Sequence, residues 1–119
     1  MLKAVVLVVE DELLLRLNAA QMIEEADYEV IEASNADEAI QILESRTDIR
    51  IVFTDINMPG SMDGIKLANA VRDRWTPIRP IVTSGKVALR AGDIPADGRF
   101  LAKPYSLEQI VNILAEFAA

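Results

Sequence analysis

The sequence predicts an α/β protein built on a parallel sheet flanked by helices, and three observations lead there. Short runs rich in Val, Ile and other apolar residues alternate five times with stretches whose apolar residues recur at helical spacing. The first run, residues 4–9, has no polar interruption, as expected of a strand covered on both faces. The chain has 119 residues, 51% of them hydrophobic, enough for one core. No linker, low-complexity tract or internal repeat divides it, so one domain over residues 1–119 is expected. Crossovers between parallel strands should be right-handed.

Each element has its own signal. After the strand at 4–9, Leu15, Ala19, Met22, Ile23 and Ala26 mark one face of an amphipathic helix, with Arg16, Glu24 and Glu25 elsewhere on it. Residues 28–33 read as a second, weaker strand around Val30 and Ile31. Asn35 with Glu38 three residues later resembles a capping box, and Ala36, Ala39, Ile40 and Leu43 continue as a helical stripe. Ile51, Val52 and Phe53 form a third strand ending at Thr54 and Asp55, and Met58-Pro59-Gly60 is a turn. Ser61 or Asp63 can cap a third helix that turns Ile65, Ala68 and Val71 inward. Thr76-Pro77 ends it, and Ile81, Val82 and Thr83 form a fourth strand. The fourth helical slot is poor: only residues 87–91 look helical before Gly92 and Pro95 interrupt, so a short or irregular element is expected there. Phe100, Leu101 and Ala102 form the fifth strand. Ser106 and Gln109 then frame a capping box, before a stripe of Leu107, Ile110, Val111, Leu114 and Phe117.

Composition narrows the chemistry. The chain contains no Cys, which excludes disulfides, thiol catalysis and Cys-based metal sites. It contains no His, which excludes His-based triads and a role as phosphohistidine carrier. Any metal must be held by oxygen, which favours magnesium, calcium or manganese. The net charge of −7 argues against a direct nucleic-acid surface. The longest apolar run is far too short to span a membrane, and acids follow it where a signal peptide has small residues, so a cytoplasmic protein is expected.

In an open parallel sheet, ligands bind beyond the carboxyl ends of the strands. The first strand is followed there by Glu10, Asp11 and Glu12, and the third by Asp55. The fourth ends in Thr83, Ser84 and Gly85, and the fifth is followed by Lys103 and Pro104. Glu10, Asp11 and Asp55 would set three carboxylates close together, where like charges raise one another's pKa values. One lysine offsets one of those charges, and a divalent cation would cancel the other two. Magnesium suits such a set, because it takes one or two carboxylates, keeps waters and accepts a phosphate oxygen. The acids after the first strand also argue against a dinucleotide-binding domain, which needs a Gly-rich turn there, and against a flavodoxin, which needs a hydroxyl- and Gly-rich phosphate loop.

The segments Val8-Val9-Glu10-Asp11-Glu12, Thr54-Asp55-Ile56-Asn57-Met58-Pro59-Gly60, Val82-Thr83-Ser84-Gly85 and Lys103-Pro104-Tyr105 resemble the receiver domain of bacterial two-component response regulators. The resemblance covers essentially the whole chain, in order. It implies a flavodoxin-like, doubly wound five-stranded sheet of order 2-1-3-4-5 with about five helices. It implies that Asp55 is the phosphoacceptor, taking a phosphoryl group from a histidine kinase or a histidine phosphotransfer protein. Glu10, Asp11 and Asp55, with the backbone carbonyl of Asn57, would hold Mg2+, with Mn2+ an alternative. Lys103 would pair with the phosphoryl oxygens, Thr83 would be the switch hydroxyl and Phe100 the aromatic switch. Pro104 would follow a cis peptide bond. The chain would then be a signalling phosphoacceptor that catalyses only its own phosphorylation and dephosphorylation. The face built from the fourth helix, fifth strand and fifth helix would serve partner binding or homodimerisation.

Each of these residues also has an ordinary reading by itself. Asp11 or Glu12 could cap the first helix, Asp55 could be a turn residue, and Lys103-Pro104 a turn leading into a helix. Thr83 could be a strand-end hydroxyl and Phe100 plain core. Trp75 and Met58 read as structural. The ordinary readings need several coincidences on one edge of one sheet. Against many family members, Glu10 replaces an Asp, Phe100 replaces the common Tyr, and Gly85 offers no side chain near the site. Three other functions compete with a stand-alone phosphoacceptor. One is a magnesium phosphohydrolase, which would want a second Asp where Asn57 stands. Another is a phosphorylation-independent interaction module. The third is the receiver portion of a hybrid histidine kinase or of a longer regulator.

Overall fold

The computed structural model describes residues 3–58, 60, 62–85, 94–95 and 97–118. The elements run β1 (Val5–Val9), α1 (Leu13–Glu25), β2 (Glu29–Ala33), α2 (Ala36–Ser45), β3 (Ile49–Asp55), α3 (Gly64–Arg74), β4 (Arg79–Ser84), β5 (Arg99–Ala102) and α4 (Leu107–Ala118). The five strands form one parallel sheet of order β2-β1-β3-β4-β5. That is the expected flavodoxin-like order. Among the described residues there are four helices. The irregular element expected at 87–91, like Pro59 and Ser61, lies outside them, so α4 fills the fifth helical slot of the sequence.

Alternation along β1 divides the core. Val5, Leu7 and Val9 pack with Ala36, Ala39 and Leu43 of α2 and Leu67 and Val71 of α3. Val6 and Val8 pack with Ala19 and Ile23 of α1 and Ile110 and Leu114 of α4. Every β1 residue is at most 4% exposed, because helices cover both faces. A third cluster joins Ile56, Ala68 and Val82, with Phe100 and Ile65 packed against it. Trp75 packs on the α2–α3 side of the core, under the Arg74 guanidinium.

The helix ends follow local chemistry. The Glu38 N–H donates to the Asn35 side chain at 2.8 Å, while the Glu38 carboxylate accepts from Ser34. Asp63 caps α3, accepting from the Lys66 N–H at 2.9 Å. Ser106 and Gln109 form a reciprocal capping box. At α1 the cap differs from both readings of the sequence. Glu12 holds the N-cap position without a capping side-chain bond, and its own N–H donates to the Glu10 carboxylate at 3.2 Å.

Two helical stripes are narrower than their spacing suggests. On α1, Ala19, Ala20 and Ile23 are buried but Leu15 is not. Leu15 instead lines a cavity together with Asn18, Lys103, Pro104 and Tyr105. On α4, Ile110 and Leu114 are buried while Leu107 and Val111 are exposed.

Candidate metal and phosphoacceptor site

Parallel strands bring their carboxyl ends to one edge, and the predicted site residues meet there. Asp55 is the last residue of β3 and lies opposite Thr83 in the register with β4. Glu10 follows β1 directly, and Lys103 follows β5. Backbone bonds fix these ends: Ile56 N–H to the Thr83 carbonyl at 2.9 Å, Lys103 N–H to the Ser84 carbonyl at 3.0 Å, and Glu10 N–H to the Ala33 carbonyl at 3.1 Å. The Lys103–Pro104 peptide is cis, as the family resemblance implied.

Glu10, Asp11 and Asp55 each present a carboxylate oxygen, and these oxygens lie within 4.8 Å of one another. Opposite ligands of an octahedral Mg2+ stand about 4.2 Å apart, twice a bond of about 2.1 Å. Three hard oxygen donors at this spacing therefore fit magnesium with small side-chain adjustments, and the absence of His and Cys fits a hard cation over a soft one. Asn57 lines the same cavity, whose volume is about 480 Å³.

Lys103 is the local counter-charge. Its ammonium stands 3.1 Å from Glu10 Oε1 and 3.4 Å from Asp55 Oδ1. Burial works against that charge, but the Glu10 hydrogen bond and the Asp55 and Glu10 charges outweigh it and hold the Lys103 pKa above its ordinary value. The Glu10 carboxyl is raised, chiefly by burial. The Glu12 N–H bond opposes the shift, while a hydrogen bond with Asp11 and the Asp55 charge add to it. With one lysine against the carboxylates of Glu10, Asp11, Glu12 and Asp55, the cavity carries an excess of negative charge that favours cation binding and disfavours bare phosphate.

The two predicted switch residues lie beside this cavity rather than in its lining. Thr83 is buried, and its hydroxyl donates to the Thr54 carbonyl at the long distance of 3.5 Å. Phe100, half-buried, packs on the Ile56, Ala68 and Val82 cluster and pairs with Val82 across the strands. Met58 packs toward the core, with its sulfur 3.9 Å from the Thr54 hydroxyl, so its structural reading holds.

Three further residues act on the site without a signal in the sequence. Tyr105 stacks edge-on against Phe53 at 5.7 Å; burial, then the Glu10 and Asp55 charges, push its phenol up to about 12. Gly64 opens α3 against the backbone of Asp55, where a Cβ would collide with the Asp55 carbonyl oxygen. Arg16 reaches from α1 to the Glu10 carbonyl. Arg16 lies six residues from Glu10 and Gly64 nine from Asp55, spacings that match no capping or helical pattern, so no local pattern announces either.

An open five-stranded parallel sheet with an acidic, lysine-braced pocket at the carboxyl ends of β1, β3 and β5 defines the class of receiver folds. The sequence profile described as the response regulator receiver domain matches residues 6–115. The chain belongs to that family, whose members act as receivers in two-component signalling. It is 36% identical over 117 residues to the sensor kinase CckA of Brucella abortus, a match covering 95% of this chain and 12% of that protein. It is 30% identical to the response regulator receiver protein CpdR of the same organism, over 90% of each chain. It spans 44% of the transcriptional regulator ResD of Bacillus subtilis and 52% of PdtaR of Mycobacterium tuberculosis, so it corresponds to about half or less of the length of several curated relatives. Among solved structures, a response regulator receiver protein from Sinorhizobium medicae superposes with a TM-score of 0.89 at 27% identity, covering 97% of this chain and 94% of that one. The receiver domain of the hybrid histidine kinase CckA superposes with a TM-score of 0.81 at 28% identity, covering 97% and 99%. No helix among the described residues is long and apolar enough to cross a membrane.

Proposed function

We propose that residues 1–119 form one receiver domain in which Asp55 accepts a phosphoryl group from the phosphohistidine of a histidine kinase or histidine phosphotransfer protein. The carrying observation is the Asp55 carboxylate at a strand end, grouped with Glu10 and Asp11 oxygens within 4.8 Å and braced by the Lys103 ammonium at 3.4 Å. In the transfer, an Asp55 carboxylate oxygen bonds to phosphorus as the phosphorus–nitrogen bond of the donor breaks. The electron pair leaves with the imidazole, and the product is an aspartyl phosphate. Lys103 stays within reach of Asp55 and can pair with the incoming phosphoryl oxygens. Glu10, Asp11, Asp55 and the Asn57 carbonyl would hold Mg2+ or Mn2+, which would supply neutralisation of the phosphoryl charge.

Once the phosphoryl group is attached, Thr83 exchanges its weak bond to Thr54 for one to a phosphoryl oxygen. Phe100 follows into the vacated space, giving two arrangements that phosphorylation biases. The face of β5 and α4 is where we place homodimer or output contacts; the fourth helical segment of that face lies outside the described residues. The full-length likeness to CpdR supports a stand-alone regulator, and the likeness to CckA supports a hybrid-kinase receiver as the second reading.

Incubation with acetyl phosphate, with and without Mg2+, tests the proposal. One acid-stable, hydroxylamine-labile phosphoryl group per chain is expected, dependent on Mg2+ and absent in Asp55→Asn. Equal labelling of that variant would place the nucleophile elsewhere.

A further inference from the structure

The main chain at Glu10 is held from both sides, by β2 at its N–H and by Arg16 of α1 at its carbonyl. Its N–H donates to the Ala33 carbonyl at 3.1 Å. Its carbonyl accepts from Arg16 Nη1 at 3.0 Å, and the same guanidinium donates through Nε to Glu32 Oε1 at 3.1 Å. The Arg16 side chain is 17% exposed and that of Glu32 37%, so the guanidinium is shielded while its carboxylate partner still meets water. The Glu10 carbonyl and the Asp11 N–H share one rigid peptide plane. A donor fixed on that carbonyl therefore sets the direction in which the Glu10 and Asp11 side chains leave the chain.

The charge arrangement fits the same purpose. A lone guanidinium beside three carboxylates would compete with a cation for them. Glu32 neutralises Arg16 from the side of β2, so Arg16 can supply a directed hydrogen bond while adding little net positive charge. A planar fork makes both contacts at once with little rotamer freedom left to lose; a lysine ammonium is a point donor.

We infer that Arg16 and Glu32 are a positioning pair for the divalent-cation site, holding the Glu10–Asp11 peptide in the orientation the cation requires. This rests on the proposal that Glu10, Asp11 and Asp55 take Mg2+ or Mn2+. Groups that orient metal ligands from behind typically change metal affinity by about 10–100-fold when removed. One bond at a backbone carbonyl belongs at the lower end of that range.

The test is direct binding of Mn2+, followed by the loss of the free-ion electron paramagnetic resonance signal. It is made on wild type, Arg16→Ala, Arg16→Lys, Glu32→Gln and Asp55→Asn, with the urea stability of each metal-free protein measured alongside. Arg16→Ala is expected to weaken Mn2+ binding about tenfold. Arg16→Lys should recover part of that loss, and Glu32→Gln should weaken binding by a smaller factor. A purely structural role predicts lowered urea stability with unchanged Mn2+ affinity in Arg16→Ala, and that result overturns the inference. If Arg16→Ala does not fold, the comparison passes to Arg16→Lys and Glu32→Gln, and wild-type affinity in both overturns it equally. Failure of the wild-type protein to bind Mn2+, or undiminished binding by Asp55→Asn, would instead strike the metal site itself.

Discussion

Replacing Gly64 by alanine should damage both the fold and the phosphoacceptor, although alanine is the better helix former. An added Cβ would collide with the Asp55 carbonyl oxygen and lie 2.7 Å from the Asp55 carbonyl carbon and 2.8 Å from the Ile56 Cα. Carbon atoms settle about 3.5–4.0 Å apart, so the start of α3 and the end of β3 must separate by roughly 1 Å. These are backbone atoms of a buried strand end and cannot swing aside as a side chain could. The separation strains or breaks the 2.9 Å bond from the Gly64 N–H to the Ile56 carbonyl, worth about 1 kcal/mol net. Overpacking a tight contact costs about 1–3 kcal/mol more. Alanine returns at most about 1 kcal/mol in helix propensity, and less at a helix start. A net loss of about 1–4 kcal/mol follows. Because the atoms pushed belong to Asp55 itself, its carboxylate moves relative to Glu10, Asp11 and Lys103. A misplacement of about 1 Å can cost about a hundredfold in rate. Urea denaturation gives the first number and the acetyl phosphate labelling rate the second. Gly64→Ala with stability within about 0.5 kcal/mol of wild type and an unchanged labelling rate would refute the close-contact argument.

Two further outcomes follow from the electrostatics of the site. Tyr105 should stay neutral until about pH 12, because burial and the Glu10 and Asp55 charges disfavour the phenolate. The folded state then holds the proton more tightly than the unfolded state, whose tyrosine titrates at about 10. This contribution to stability is complete below pH 10 and declines as pH rises towards 12. Absorbance titration at the phenolate band checks the midpoint, and a Tyr105 that ionises at its ordinary value would contradict the burial argument. Separately, Mg2+ should stabilise the folded protein against urea by about 2.7 kcal/mol at a concentration a hundredfold above its Kd. Asp55→Asn should gain clearly less at the same concentration, and an equal gain would remove Asp55 from the cation site.

Legibility in the sequence varied element by element. β1 was plain because a strand covered on both faces must be apolar throughout, and Val5–Val9 is. β3 proved longer than its apolar center, running from Ile49, which packs in the core opposite Val5, past the exposed Arg50, where the register with β1 shifts and the apolar run is interrupted. Spacing alone set Leu15 inward; in the structure it is 40% exposed and lines a cavity with Lys103, Pro104 and Tyr105. At α1 the sequence offered Asp11 or Glu12 as cap; Glu12 takes the N-cap position, but its side chain caps nothing and its own N–H donates to the Glu10 carboxylate.

The sequence by itself determined the inventory and the alternation. Oxygen donors without His or Cys restrict any metal to hard cations, and strand signals followed by helix signals require parallel crossovers. Tertiary structure alone decided that Glu10, Asp11 and Asp55 stand within 4.8 Å of one another, that Lys103 braces two of them, and that Arg16 and Gly64 press on their backbone. The physical reason is that a parallel sheet carries each strand's carboxyl end to one edge. Contacts there depend on strand order and register, and these are set by the packing of the whole core rather than by any residue's neighbours in the chain.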